Sequence, residues 1–263
     1  MRVAAELDGM TFTAPAVPAM RNLREVIHSQ AIQPTFQPVV RLEDGVVKAY
    51  EALARFDKAH FPSPADAFAA ALEAGVGVDL ELLALERAFA YLDEMPAGAW
   101  LSANLSVEAL LDPRVGQTLM AHASRGIAVE LTEHTQVHDY PALVKVTERL
   151  RSAGILLAVD DAGAGFASLS HILQLRPDII KLDITLTRGI DTDPVRMALA
   201  RSLVGFAEDI GAMLIAEGIE TVAEHEKLRA LGVKLGQGYF MARPGPLPAR
   251  AEITADGILI GGA

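Results

Sequence analysis

Asp160 and Asp161 close an apolar run, Ile155-Leu156-Leu157-Ala158-Val159, and Gly163 and Gly165 follow them. Adjacent carboxylates repel, and the arrangement is costly unless a cation, a shared proton or bulk water relieves it. Side chains of similar character stand at or near the ends of other apolar runs: Glu51, Asn104, Glu130, Glu133, Glu217, Glu220 and Gln237, with Arg55, Lys181 and Asp183 among them. Glu51, Asn104, Glu130, Asp160 and Asp161 are all hard oxygen donors, with no His or Cys, which suits Mg²⁺ or Mn²⁺ rather than Zn²⁺. With one carboxylate bridging, two ions about 3.5–4 Å apart would clamp a phosphodiester and generate a hydroxide between them. Lys181 would orient water or neutralise a phosphate oxygen.

Such side chains are useful only if the chain brings them to one place, and its periodicity indicates how. Thr35 to Leu42 and Val46 to Phe56 read as strands joined by Glu43-Asp44-Gly45, an antiparallel hairpin signal. Beyond Pro64 strand and helix patterns alternate. Strands are expected at Trp100–Leu105, Ile127–Thr132, Ile155 onward, Asp178–Leu186, Ala212–Glu217 and Lys234–Phe240. Helices are expected at Arg21–Ile32, Asp66–Ala74, Asp79–Met95 with Asp79 as cap, after Ser106, and at Pro141–Ala153, Phe166–Leu175 and Pro194–Ile210. A last helix, opened by a Thr221/Glu224 capping box, ends at Gly232. Some eight strands in strand-then-helix units over 263 residues predict an α/β fold, a TIM-like (β/α)8 barrel with an antiparallel first strand pair. In such a barrel the strand ends converge on one face, where active sites of this fold are built. The expected organisation is a leader or linker over residues 1–19, the barrel over 20–250 and a tail over 251–263, whose apolar Gly257-Ile258-Leu259-Ile260 either packs on the barrel or forms a contact.

Composition limits the partners. A formal net charge of −11 argues against a nucleic-acid polymer, which needs a basic stripe, but leaves room for a small anionic ligand held by local cations. No apolar run approaches the ~18 residues of a membrane span and no secretory signal is visible, so the expectation is a cytoplasmic protein without membrane insertion. With no cysteine, thiolate catalysis and thiolate metal sites are excluded.

Glu51-Ala52-Leu53, set in Phe36-Gln37-Pro38 … Tyr50-Glu51-Ala52-Leu53-Ala54-Arg55, resembles the signature of EAL-domain cyclic di-GMP phosphodiesterases. The resemblance continues through Asn104-Leu105-Ser106, Glu130-Leu131-Thr132-Glu133, Asp160-Asp161, Lys181-Leu182-Asp183, Ala216-Glu217-Gly218-Ile219-Glu220 and Gln237-Gly238-Tyr239, covering roughly Met20 to Pro248. It implies a barrel that opens cyclic di-GMP to linear pGpG with two Mg²⁺ or Mn²⁺ ions, and a homodimer. By the same resemblance Glu51, Asn104, Glu130 and Asp160 would hold one ion, and Asp160 would bridge to a second held also by Asp161. Lys181 and Glu217 would contact the nucleophilic water, with Glu217 as general base or second-metal ligand. Glu133 would steady the loop after the fifth strand; Arg55 would meet a phosphate; Gln37, Glu220 and Gln237 would complete the substrate rim. Ala162 and Ala164 stand where the family commonly has Phe and Thr, and Ala54 where it commonly has Leu.

A catalytically silent EAL-like receptor, acting through a partner protein, is the alternative. A lyase or isomerase using one Mg²⁺ is weaker, for want of a second Lys or His base opposite Lys181. Gly163-Ala164-Gly165 is not a dinucleotide fingerprint: the third Gly is missing and carboxylates precede the turn.

Overall fold

Gly45 adopts a φ of 70° and Asp44 Oδ1 accepts the Val46 N–H at 3.1 Å, so the chain reverses sharply between β1 (Gln33–Arg41) and β2 (Val47–Arg55). The pair is antiparallel, with Gln37 opposite Glu51 and Gln33 opposite Arg55. The structure, a computed structural model, describes residues 17–131, 137, 139–162, 166–247, 250–254 and 257–261; the side chains of 17–18, 161–162, 166–169 and 250–261 lie outside that description.

The remaining barrel strands are β3 (Trp100–Leu105), β4 (Ile127–Leu131), β5 (Leu156–Ala162), β6 (Ile179–Leu182), β7 (Met213–Ala216) and β8 (Leu235–Gly236). They run parallel to β2 in sequential order, and β8 closes the barrel on β1, which is antiparallel to both of its neighbours. The expected barrel with its inverted first strand is therefore present. Alternate strand residues face outward, among them Leu101, Val129, Leu157 and Ile180, and are buried under the surrounding helices. Inward, Val39, Ala49, Ala128, Ala158, Ile179, Ile215 and Leu235 form one apolar layer from seven strands. Small residues dominate one side of that layer and branched ones the other, which lets it fill the narrow barrel interior.

The helices are α1 (Val17–Ser29), α2 (Pro64–Glu73), α3 (Gly77–Phe89), α4 (Val107–Leu111), α5 (Pro113–Ala121), α6 (Tyr140–Ser152), α7 (Phe166–Leu175), α8 (Ile184–Thr187), α9 (Pro194–Ile210) and α10 (Val222–Ala230). None of the described helices is long and apolar enough to cross a membrane. Ser63, Ser106, Asp112, Asp139, Asp193 and Thr221 cap with their side chains, and the Thr221/Glu224 capping box forms as expected.

Four expectations are corrected. The first helix runs from Val17 to Ser29, and Pro34 lies inside β1, because Gln30 turns to a φ of 54° and ends the helix early. Asp79 does not cap α3; Val76 occupies that position and Asp79 instead meets Arg114 at 2.6 Å. The run Asp178–Leu186 is not one strand: Asp183 accepts the Thr185 N–H and opens α8. The last strand is confined to Leu235–Gly236, because a Cβ at Gly236 or Gly238 would strike Ile219 and the chain there packs backbone against backbone. Downstream, Phe36 and Gly245 exchange backbone hydrogen bonds, laying the chain along β1. In the tail, β9 (Arg250–Thr254) and β10 (Gly257–Gly261) pair with each other in a separate antiparallel sheet.

Candidate active site

Two residues further along each strand from the apolar layer, the inward side chain is polar. Ala49 leads to Glu51, Ala128 to Glu130, Ala158 to Asp160, Ile179 to Lys181, Ile215 to Glu217 and Leu235 to Gln237; on the inverted strand, Gln37 precedes Val39. Period-two alternation thus stacks a polar tier directly on the apolar one, at the C-terminal mouth.

Lys181 is the centre of that tier. Its side chain is 1% exposed, and Nζ lies 2.5 Å from Glu130 Oε2, 2.7 Å from Glu217 Oε1, and 3.5 Å from both Glu51 Oε2 and Asp160 Oδ1. Asn104 Nδ2 donates to Glu51 Oε1 at 2.9 Å, while Gln237 Nε2 donates to Glu51 Oε2 at 2.7 Å and Glu217 Oε1 at 2.9 Å. The Gln237 side-chain amide oxygen, Oε1, is buried without a partner among the described residues. Thr187 anchors the Glu217 backbone carbonyl, so α8 fixes the end of β7. Gly218, at a φ of 64°, allows the turn away from the site; the space beside it is filled by Ile184, which a Cβ would meet at 2.3 Å.

Burial pushes the Glu130 carboxyl up to about 7, and the neighbouring Glu51 and Asp160 charges add to this while Lys181 opposes it. Burial likewise drives Glu217 well above the usual carboxylate range. Glu51 is buried too, yet Lys181 and the Gln237 and Asn104 amides hold it below its ordinary value. For Lys181 burial works against charge, and the surrounding carboxylates, Glu130 foremost, overcome it and raise the ammonium well above its usual value. Four carboxylates against one ammonium would leave three uncompensated negative charges if all ionised.

That deficit, the all-oxygen donor set and the orphaned Gln237 Oε1 fit divalent cations of the Mg²⁺ or Mn²⁺ kind. Among the described residues no three acidic or imidazole side chains are already set as a coordination cage; the carboxylates are drawn onto Lys181 instead.

The structure brings together seven of the residues expected from sequence: Glu51, Asn104, Glu130, Asp160, Lys181, Glu217 and Gln237. Gln237 is not at the rim but inside, bridging Glu51 and Glu217. The backbone of Asp161 continues β5 at the mouth, its side chain being outside the described set, and Glu133 lies outside the described residues altogether. Gln37 is buried against the Ala242 carbonyl at 3.0 Å, and its wall borders the same cleft as Glu217, Glu220 and Gln237. Glu220 turns to Arg188, at 2.5 Å. Arg55 lies at the end of β2 with Nη1 on the Ala54 carbonyl, beyond the Lys181 cluster. Asp183 serves as the α8 cap rather than as a partner of Lys181. Sequence reasoning missed Thr187, Ile184 and Arg188, because it read α8 as strand; Asp183 two residues before Thr185 was the available signal.

Fold and site define an acidic, cation-seeking centre at the mouth of a TIM-like barrel. The chain belongs to the EAL-domain family, whose model matches residues 20–244. It is 27% identical over 253 residues to the probable cyclic di-GMP phosphodiesterase PdeG of Escherichia coli (strain K12), covering 92% of this chain and 50% of that protein. With the cyclic di-GMP phosphodiesterase NbdA of Pseudomonas aeruginosa it shares 28% identity over 246 residues, 88% of this chain and 31% of the relative. The chain thus spans half or less of the length of these two curated relatives. Among solved structures, Klebsiella pneumoniae BlrP1 in its calcium and cyclic di-GMP complex superposes with a TM-score of 0.74 at 32% identity, over 82% of this chain and 56% of that one. The same protein is also known in a manganese and cyclic di-GMP complex.

Proposed function

We propose that this chain is a metal-dependent phosphodiesterase that hydrolyses cyclic di-GMP to linear pGpG. The observation that carries the reading is one buried ammonium facing four carboxylates from different strands of one barrel mouth. Glu51, Asn104, Glu130 and Asp160 would hold one divalent ion, and Asp160 with Asp161 a second. Bound there, the ions would supply charge neutralisation at the phosphodiester and a lowered pKa for water.

The protein groups have separable tasks. Lys181 stays protonated and donates N–H bonds, so it orients a water or steadies a phosphate oxygen without giving up its proton. Glu217 is held by Lys181 and Gln237 through Oε1, and its raised proton affinity suits it to take a proton from that water. Gln237 keeps Glu51 and Glu217 at fixed separation. Arg55, at the mouth, would meet a phosphate. A homodimer in the cytosol completes the reading: α9 exposes Val195 and Leu199, four residues apart, as an apolar edge for a second copy.

Incubation of the purified chain with cyclic di-GMP and Mn²⁺ or Mg²⁺ should yield pGpG, and chelator should stop it. Binding without turnover in folded, metal-loaded protein would replace the enzyme with the receptor alternative. Glu51→Gln, which keeps the shape of the side chain and one of the two acceptor oxygens that Asn104 and Gln237 use, should lower turnover roughly 100-fold or more, since several kcal/mol of charge stabilisation go with the ligand.

A further inference from the structure

Arg41, Arg114, Arg125, Arg188 and Arg196 each sit against a carboxylate, as expected in a chain with 34 acidic and 23 basic residues. Arg55 and Arg87 do not. Both are half-buried, both line one cleft of about 430 Å³ between the end of α1, the end of β2 and α3, and neither has a carboxylate partner among the described residues. Arg55 spends one N–H on the Ala54 carbonyl, and Arg87 spends Nε on the Ile32 carbonyl at 3.2 Å. Among the described residues the Arg87 Nη groups are left unspent. Asp57, also on the wall, turns its carboxylate to the Ala59 N–H at 2.8 Å rather than to either guanidinium. Gln30 and Gln33 add exposed amides, and the Phe56 ring supplies an apolar side.

Partly desolvated guanidinium groups without counter-charge attract an oxyanion, and two planar forks in one cleft match the several oxygens of a phosphate better than a lone carboxylate would. Asp57 is the one carboxylate of the wall, its Oδ1 engaged by the Ala59 N–H, and the two guanidinium groups outnumber it, so the lining keeps a net positive charge toward such a ligand. We propose that this cleft is a phosphate-binding site, separate from the acidic centre, that takes a free phosphate or the terminal phosphate of a nucleotide. Arg87 is its specific element and Arg55 is shared with the mouth. The inference does not depend on the acidic centre being catalytic.

The test uses chelated, metal-free protein at low ionic strength, in which the acidic centre repels anions. Inorganic phosphate, GMP and guanosine are titrated by calorimetry and phosphorus NMR. Inorganic phosphate and GMP should bind and guanosine should not; tighter GMP would identify the nucleotide as the source, and equal affinities the phosphate alone. Arg87→Gln should weaken phosphate binding roughly fivefold or more, and Arg87→Lys should restore part of it. Gln33→Glu, at an exposed position, should abolish binding whether or not the Arg87 variants fold. The proposal is overturned if the wild-type protein binds neither phosphate nor GMP, if Gln33→Glu binds as the wild type does, or if Asp160→Asn alone removes the binding.

Discussion

Lys181 illustrates what a single side chain does in a charged interior. Its ammonium is the shared counter-ion of Glu51, Glu130, Asp160 and Glu217, at 2.5 to 3.5 Å. Lys181→Met keeps most of the volume and removes that charge. Breaking a buried pair by deleting one partner costs about 3–5 kcal/mol, because the other charge is left unpaired. Urea unfolding in chelator should therefore register a loss of that order at neutral pH, with partial recovery in mild acid as the carboxylates take up protons. A variant as stable as wild type at neutral pH would mean the four carboxylates are relieved some other way. The placement of Lys181 at the mouth was legible in the sequence because inward positions recur every second residue, so Ile179 in the core places Lys181 above it. The bridge from Gln237 to Glu51 was not, since it spans 186 positions and depends on how far two strands approach across the barrel.

At the scale of elements, α10 is fixed by one contact local in sequence, its capping box, and one distant, from His225 to Leu42. Thr221 and Glu224 exchange bonds across the first turn, and Glu224 also accepts the Gly189 and Glu220 N–H groups. Thr221→Ala should cost about 1 kcal/mol, the usual value of a cap, read as a shifted denaturation midpoint with unchanged slope. Farther along, His225 is buried, and its Nε2 lies 3.0 Å from the Leu42 carbonyl. Burial lowers its proton affinity below the ordinary 6.5. The folded protein therefore binds this proton less readily than the unfolded chain, so stability is intact above 6.5 and falls as pH drops below it. His225→Gln keeps a donor for Leu42 and should flatten that acid limb; an identical pH profile would place the acid sensitivity elsewhere. The capping box could be read from four consecutive letters. The His225 contact could not, and neither could α8, whose β-branched Ile184, Thr185 and Thr187 prolong the strand pattern until the tertiary fold ends it.

For the whole molecule, the barrel buries its ladder edges by closure, and its polar tier is the least favourable region of an otherwise apolar interior. A cation that binds only the folded chain adds about 2.7 kcal/mol at 100 times its dissociation constant. For a chain of this size that corresponds to a rise of roughly 5–10 °C in Tm. Thermal scans with Mn²⁺ against chelator should show it, and Asp160→Asn should reduce it without any need for substrate. A midpoint indifferent to Mn²⁺ and Mg²⁺ would remove the metal centre from the account.

Because β1 runs against both of its neighbours, Gln33 pairs with Arg55 at the mouth and Arg41 lies at the floor. An all-parallel barrel takes in its chain from below; this one takes it in from above, through α1. The ladder from Gln33 to Gln37 is a stiff rod, and its far side carries Glu51 and Arg55. A pull or twist on α1 therefore arrives at the acidic end of the barrel within one strand pair, so that the first helix is geared to the mouth rather than moored to the base.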